Sequence, residues 1–280
     1  MKKKPQKEEK GEIMKRIVSV AAVLLLLGGC SGGQNHEKDA SKNSQQTSNH
    51  EQANAENGTK TKEKNNDLLL ESKYFNQIKE VNGQKMIENT SNILSLVNKE
   101  YSIGSYVPND LVRPKVKFSF GDQDIEKSYM RQEAATALEK MFSEAEKNGI
   151  YLFASSGYRS YERQKAILNN EIANVGKEKA EQAVATPGQS EHQTGLAMDI
   201  TSESENYLLS ENFGKQKEGI WLREHAHEFG FILRYPKDKE NITGYEYEPW
   251  HFRYVGKKAA AVIYKNGWTL EEYFQHVEKM

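Results

Sequence analysis

Four residues in this chain have side chains suited to one piece of chemistry: His192, Asp199, Glu248 and His251. Each falls in a strand-like or turn-like stretch. Two imidazoles and a carboxylate suit a borderline cation such as zinc, and three protein ligands leave a fourth position for water, as a catalytic site requires. His192, Asp199 and His251 can supply those three, although the long gap from Asp199 to His251 means the fold must bring the last ligand back. Glu248 lies three residues before His251 and is the candidate for a carboxylate outside the ligand set. As a fourth ligand it would neutralise the ion and close the open position. Left unbound, it can take a proton from water that the ion has acidified towards ~7 and give one to a leaving amine. Amide hydrolysis is the natural reaction class.

The elements that must hold these groups can be read from periodicity and breakers. Tyr129 to Asn148 places Met130, Ala134, Ala137, Leu138, Met141 and Ala145 at helical spacing, and Gly149 follows where a helix stops. Ile150 to Ala154 reads as a short buried strand, and Ser160 as the cap of a second helix over Arg163 to Ile172. Thr186 to Gln189 reads as a turn. Leu196 to Ile200 reads as a strand with Ala197 and Asp199 alternating against Met198 and Ile200. A helix over Trp221 to Glu228 ends near Gly230, and Phe231 to Tyr235 is strand-like. Glu246 to Phe252 is extended but edged by Pro249, and helices over Val255 to Tyr264 and Leu270 to Val277 close the chain. Short strands mixed with helices, without a regular crossover rhythm, predict an α+β fold. His225 and His227 sit two apart on a predicted helix, so they do not share a face and are read as surface or structural groups.

Composition divides the chain. All 14 Tyr, 10 Phe and 3 Trp occur at or after Tyr74, and Ser31 to Asn66 contains no Val, Ile, Leu, Met, Phe, Tyr, Trp or Cys. A segment with nothing to bury cannot offset its ordering entropy and is expected to be a flexible tether. Before it, Lys15 and Arg16 precede an apolar run from Ile17 to Leu27, too short for the roughly 20 residues of a membrane-spanning helix but suited to a secretory signal. The run ends in Leu27-Gly28-Gly29-Cys30, which resembles a bacterial lipoprotein processing site; the resemblance implies cleavage before Cys30 and lipid on its thiol. Translation from Met1 or from Met14 is compatible with this reading. The expected organisation is residues 1–29 as signal peptide, 30–67 as lipidated cysteine and polar tether, and 68–280 as the folded domain, with 68–125 as an N-terminal packing segment. The protein is thus expected outside the cytoplasm, lipid-anchored to a bacterial cell membrane and facing the wall. A net charge of -1, from 39 basic and 40 acidic residues, gives no nucleic-acid footprint. The lone cysteine excludes an intrachain disulfide framework and a multi-thiolate zinc site. No obligate protein partner is evident.

Three ordered motifs carry a family resemblance. Ser190-Glu191-His192-Gln193-Thr194-Gly195-Leu196-Ala197-Met198-Asp199 resembles the S-x-H-x-x-G-x-A-x-D signature of zinc D-alanyl-D-alanine carboxypeptidases of the VanY type. Glu248-Pro249-Trp250-His251 resembles that family's E-x-W-H signature, and Ser156-Gly157-Tyr158-Arg159-Ser160, followed by Gln164, its upstream substrate-binding segment. The resemblance implies a small central antiparallel sheet with flanking helices and one catalytic Zn2+ on His192, Asp199 and His251. It also implies Glu248 as base and acid, and Arg159 as the group that stabilises the oxyanion or grips substrate. Ser190 and Gln164 would hydrogen-bond the peptide, while Ser156, Tyr158 and Trp250 are further candidates for the substrate pocket. For Trp250, packing that orients His251 is an equal expectation. The implied substrates are peptidoglycan stem peptides losing a C-terminal D-alanine, by D,D- or L,D-cleavage.

A guanidinium fork suits a terminal carboxylate, and Arg234 and Arg253 rival Arg159 for that task. Other readings share the residue set. An endopeptidase would cut wall crosslinks without needing Arg159 to hold a free carboxylate. A non-catalytic wall-binding module would keep zinc as a structural ion, although such sites normally close with a fourth protein ligand. Two His and one carboxylate also describe non-haem iron oxygenases, but the seven-residue spacing and Glu248 fit hydrolysis better.

Overall fold

The stretches that alternate or repeat apolar residues form the elements of the computed structural model, which describes residues 66–280. The signal, Cys30 and nearly all of the tether therefore lie outside the described residues. The N-terminal part contributes short strands: β1 (Leu69–Leu70), β2 (Ile78–Val81), β3 (Gln84–Ile87), β4 (Tyr101–Ser102), β5 (Leu111–Val112) and β6 (Met130–Arg131). Helix α1 (Gln132–Lys147), β7 (Phe153–Ser156), α2 (Tyr161–Val175), α3 (Lys177–Ala183) and β8 (Ala197–Thr201) follow. The chain closes with α4 (Lys217–His225), β9 (Phe231–Leu233), α5 (Glu240–Thr243), β10 (His251–Tyr254), α6 (Lys257–Asn266), α7 (Leu270–His276) and β11 (Glu278–Lys279). No helix among the described residues is long and apolar enough to cross a membrane.

The fold is α+β, and its centre is an antiparallel sheet in the order β7-β8-β10-β9. Asp199 in β8 stands directly opposite His251 in β10, and opposite Ser156 in β7 across a bulge between Ala154 and Ser156. Residues paired across a sheet share a face, so this register brings Asp199 and His251 together despite their separation in sequence. Met198 and Ile200 take the other face and are fully buried with Leu138, Met141 and Ala145 of α1. A second cluster joins Leu70 and Leu94 to Ala260, Ile263, Leu270 and Tyr273, so the segment after Leu68 packs on the two closing helices.

Several boundaries move for identifiable reasons. The residues Met130–Arg131 pair with Leu111–Val112 and α1 starts only at Gln132. Ser160 does cap α2, accepting from the Arg163 amide, but the helix runs on to Val175. Gly149 has φ +71°, ending the turn after α1, and the strand begins at Phe153 rather than Ile150. The segment expected to be extended from Glu246 becomes strand only at His251. Before it the Glu248 amide donates to Tyr235 O and the His251 amide to Glu248 O, a turn that presents Glu248 beside its histidine.

Candidate active site

His192 enters from a 3-10 turn, Glu191–Thr194, that Gly195 ends in the left-handed conformation at φ +68°. Its Nδ1 donates to Gly157 O at 2.8 Å, which turns Nε2 towards Asp199 Oδ2, 3.4 Å away. His251 faces Asp199 with the other nitrogen: Nδ1 is 3.3 Å from Asp199 Oδ1 and 3.5 Å from Glu248 Oε2. The three side chains are buried, and their candidate ligand atoms all lie within 4.8 Å of one another. Donors bound tetrahedrally at ~2.0–2.1 Å from an ion stand about 3.4 Å apart, and each histidine already lies at about that distance from one of the two Asp199 oxygens. Asp199 Oδ1 is buried without a well-aligned hydrogen bond, an orphaned acceptor that a cation would satisfy.

Charge supports the same fit. Burial lowers the pKa of His192, keeping the neutral imidazole that ligation needs. Burial also opposes ionisation of Asp199, but His192 and His251 outweigh it and hold the carboxyl well below its usual range. At His251 burial opposes the charged ring, yet Asp199 and Glu191 push it up to about 9. A potential that holds a proton there favours a divalent cation still more. Glu248 behaves differently: burial foremost, reinforced by Asp199, pushes its carboxyl up to about 7 against the pull of His251 and Arg159. A carboxyl poised near neutrality is suited to moving protons.

A cleft of about 250 Å³ opens over this group, lined among others by Arg159, Gln164, Ser190, Glu248 and Trp250. Arg159 donates from Nη1 to Gln164 Oε1 at 3.0 Å, and Gln164 Nε2 donates to Ala185 O at 2.7 Å. The Gln164 amide is therefore engaged on both sides and orients the guanidinium. Glu126 accepts from the Ser160 amide at 2.7 Å, fixing the start of α2 next to Arg159. Tyr158 and Ser156 do not line this cleft: Tyr158 is buried, and Ser156 takes its place beside Asp199 in the sheet. Arg234 and Arg253, the rivals for a substrate carboxylate, are fully buried and both donate to Glu191 at 2.7 Å.

Sequence reasoning missed Glu191, Tyr235 and Tyr245. Both tyrosines line the cleft, and the Tyr235 ring lies 4.8 Å from that of His251. No motif marked them. Glu191 left one signal, an acid inside a segment otherwise destined for burial, which demands cationic partners.

Against known proteins, the family model of the D-alanyl-D-alanine carboxypeptidase VanY matches residues 127–257. The putative carboxypeptidase YodJ of Bacillus subtilis (strain 168) is 51% identical over 266 residues, 94% of this chain and 97% of that protein. The solved LdcB LD-carboxypeptidase is 58% identical with a TM-score of 0.74, covering 76% of this chain and 100% of the other. A vancomycin-resistance D,D-pentapeptidase VanY from a VanB-type cassette, solved with Zn(II), is 36% identical with a TM-score of 0.54, covering 65% and 98%. The chain belongs to the VanY family of D-alanyl-D-alanine carboxypeptidases: it is a carboxypeptidase-like enzyme with a single catalytic zinc site at His192, Asp199 and His251.

Proposed function

From that membership we propose that the protein removes the C-terminal D-alanine of peptidoglycan stem peptides, preferring a tetrapeptide cut by L,D-cleavage. The observation that carries the reaction is the convergence of His192, Asp199, His251, Glu248 and Arg159 on one cleft. The preference for L,D-cleavage is supported by the greater likeness to LdcB, at 58% identity, than to the D,D-pentapeptidase, at 36%.

In this reading His192 Nε2, Asp199 and His251 Nδ1 hold the ion. A zinc ion held there would supply Lewis acidity to the scissile carbonyl and to the attacking water. Glu248 accepts the proton of the attacking water and delivers it to the departing amine. Arg159, held by Gln164, presents its fork to the peptide's terminal carboxylate or to the oxyanion as charge develops. Ser190 and Trp250 complete the walls of the cleft. An endopeptidase would have no use for a half-buried, pre-oriented cation in the cleft wall, which favours an exopeptidase.

For the remainder of the chain we retain residues 1–29 as signal peptide, Cys30 as the lipidated residue and 30–67 as tether, with the enzyme outside the cytoplasmic membrane. Support comes from the apolar run ending in Leu27-Gly28-Gly29-Cys30 and the core-free stretch after it.

The decisive experiment is mass spectrometry of defined tetra- and pentapeptide stems incubated with the protein, with zinc and after chelation. Zinc-dependent loss of one terminal alanine, faster from the tetrapeptide, is expected. An intact tetrapeptide beside a shortened pentapeptide would reverse the stereochemical preference. Cleavage of neither by folded, zinc-loaded protein would sink the carboxypeptidase reading.

A further inference from the structure

The Glu191 side chain has no accessible surface, yet it sits among charges arranged with more care than packing needs. Its Oε1 accepts from Arg234 Nε and from Arg253 Nη1, both at 2.7 Å. With both guanidiniums on one oxygen, the other oxygen, Oε2, is left 3.4 Å from His251 Nε2. The same imidazole turns Nδ1 towards Asp199 and Glu248, the side on which an ion would sit. An imidazole that ligates through Nδ1 carries its proton on Nε2, and that N–H then points at Glu191.

The two arginines are themselves immobilised. Arg234 donates from Nη1 and Nη2 to Glu271 of α7 at 2.8 and 2.6 Å. Arg253 donates from Nη2 to Ile93 O and Ser95 O, at 3.1 and 2.9 Å, and from Nε to Tyr254 O at 3.0 Å. Glu191 is thereby fixed from the closing helix and from the N-terminal packing segment at once. A cluster serving stability alone would have no reason to leave one carboxylate oxygen for a ligand's ring.

We infer that Glu191 is a positioning residue for the zinc site: its carboxylate holds the Nε2–H tautomer and the ring plane of His251, so that Nδ1 is presented to the metal. Carboxylate partners of this kind fix orientation and raise ligand basicity, and losing one typically costs 10–100-fold in metal affinity. The inference rests on zinc binding at His192, Asp199 and His251, and it adds a function for the buried arginine pair, whose two contacts to Oε1 immobilise the Glu191 carboxylate.

The test is zinc affinity, measured by chelator competition on the whole protein, for wild type, Glu191→Gln and Glu271→Gln. Glu191→Gln should bind zinc about 10–100-fold more weakly and show a smaller zinc-induced rise in Tm. Glu271→Gln, which loosens the same network without touching His251, should lower the Tm of metal-free protein while leaving zinc affinity within about twofold. Equal affinities of wild type and Glu191→Gln would overturn the inference while leaving the zinc reading intact. Failure of wild type to bind zinc would take both down.

Should Glu191→Gln not fold, nitrogen NMR on zinc-loaded wild type decides the matter. A slowly exchanging proton on His251 Nε2 is expected. A metal-bearing or rapidly exchanging Nε2 would refute the assignment.

Discussion

Gly157 is the position where a single methyl group should reach the metal site. It precedes Tyr158-Arg159, its amide donates to Lys127 O at 2.7 Å and its carbonyl accepts from His192 Nδ1 at 2.8 Å. A Cβ built there would lie 2.3 Å from Tyr129 O, 2.9 Å from the Met198 side-chain terminus and 3.2 Å from Lys127 O. Two of the three obstacles are backbone, so the alanine of Gly157→Ala must displace its own chain by nearly 1 Å. Overpacking of this kind costs about 1–3 kcal/mol. At about 2–4 °C per kcal/mol for a domain of this size, the metal-free Tm should fall by roughly 2–12 °C. The displaced carbonyl also releases His192 Nδ1, and loss of such an orienting contact costs about 10–100-fold in metal affinity. Thermal unfolding after chelation reads the first effect and chelator competition reads the second. A Gly157→Ala protein with wild-type zinc affinity would refute the claim that this carbonyl orients His192, whatever its Tm.

Four further outcomes are expected. Glu248→Gln should retain zinc yet lose turnover by on the order of 10²-fold or more, and metal stoichiometry measured beside initial rates will expose an error if metal leaves with the carboxylate. Arg159→Lys keeps the charge but loses the fork, so kcat/KM for a stem peptide should fall about tenfold or more with zinc affinity unchanged; an unaltered kcat/KM would remove Arg159 from substrate or oxyanion contact. In metal-free protein, Glu248 binds its proton more tightly folded, at about 7, than unfolded, near the ordinary 4.5. The folded state therefore holds more protons between those values, and its stability relative to Glu248→Gln should decline as pH rises from about 5 to 7, by about 3 kcal/mol at most. Urea unfolding of both proteins across that range checks the sign, and a rising difference would refute it. Finally, Cys30→Ala should leave turnover intact and abolish lipid labelling; labelled lipid on the variant would dismiss Cys30 as the sole anchor.

The metal side of the site was legible because ligand chemistry is local: His192 and Asp199 lie in one turn-and-strand segment, and Glu248 and His251 in one turn. The register that joins them was not legible, since nothing in Leu196 to Ile200 says which strand will lie beside it. The helices were read well where one apolar face repeats, as in α1. They were read short where a polar face continues the helix, as in the last turn of α2. The arginines show the limit most clearly. The motif favours Arg159 but leaves Arg234 and Arg253 as rivals, and burial separates the one that lines the cleft from the two enclosed with Glu191.

That enclosure explains how one imidazole can sit between two glutamates of opposite temperament. Glu191 and Glu248 each come within 3.5 Å of His251, on opposite ring nitrogens; Glu191 is enclosed and Glu248 keeps 26% of its side chain exposed to the cleft. Burial raises the cost of ionising each. At Glu191 two guanidiniums in direct contact outweigh that cost and hold the carboxyl far below its ordinary range, so it is a fixed charge at any working pH. At Glu248 no cation makes a comparable contact, burial prevails and the carboxyl rises to about 7. A fixed charge can orient a ligand but cannot exchange a proton, whereas a carboxyl near 7 can exchange one but orients poorly. The division of labour between paired carboxylates follows from environments that push their pKa values apart. It follows that exchanging the environments, not the side chains, should exchange the roles. Removing the guanidinium of Arg253 should raise the Glu191 carboxyl and weaken zinc binding at acidic pH first, because protonation would then cost the site its orienting charge. Zinc affinity of Arg253→Met that declines between neutral and mildly acidic pH more steeply than that of wild type would bear this out; parallel pH profiles would show that Arg234 alone suffices to keep Glu191 charged.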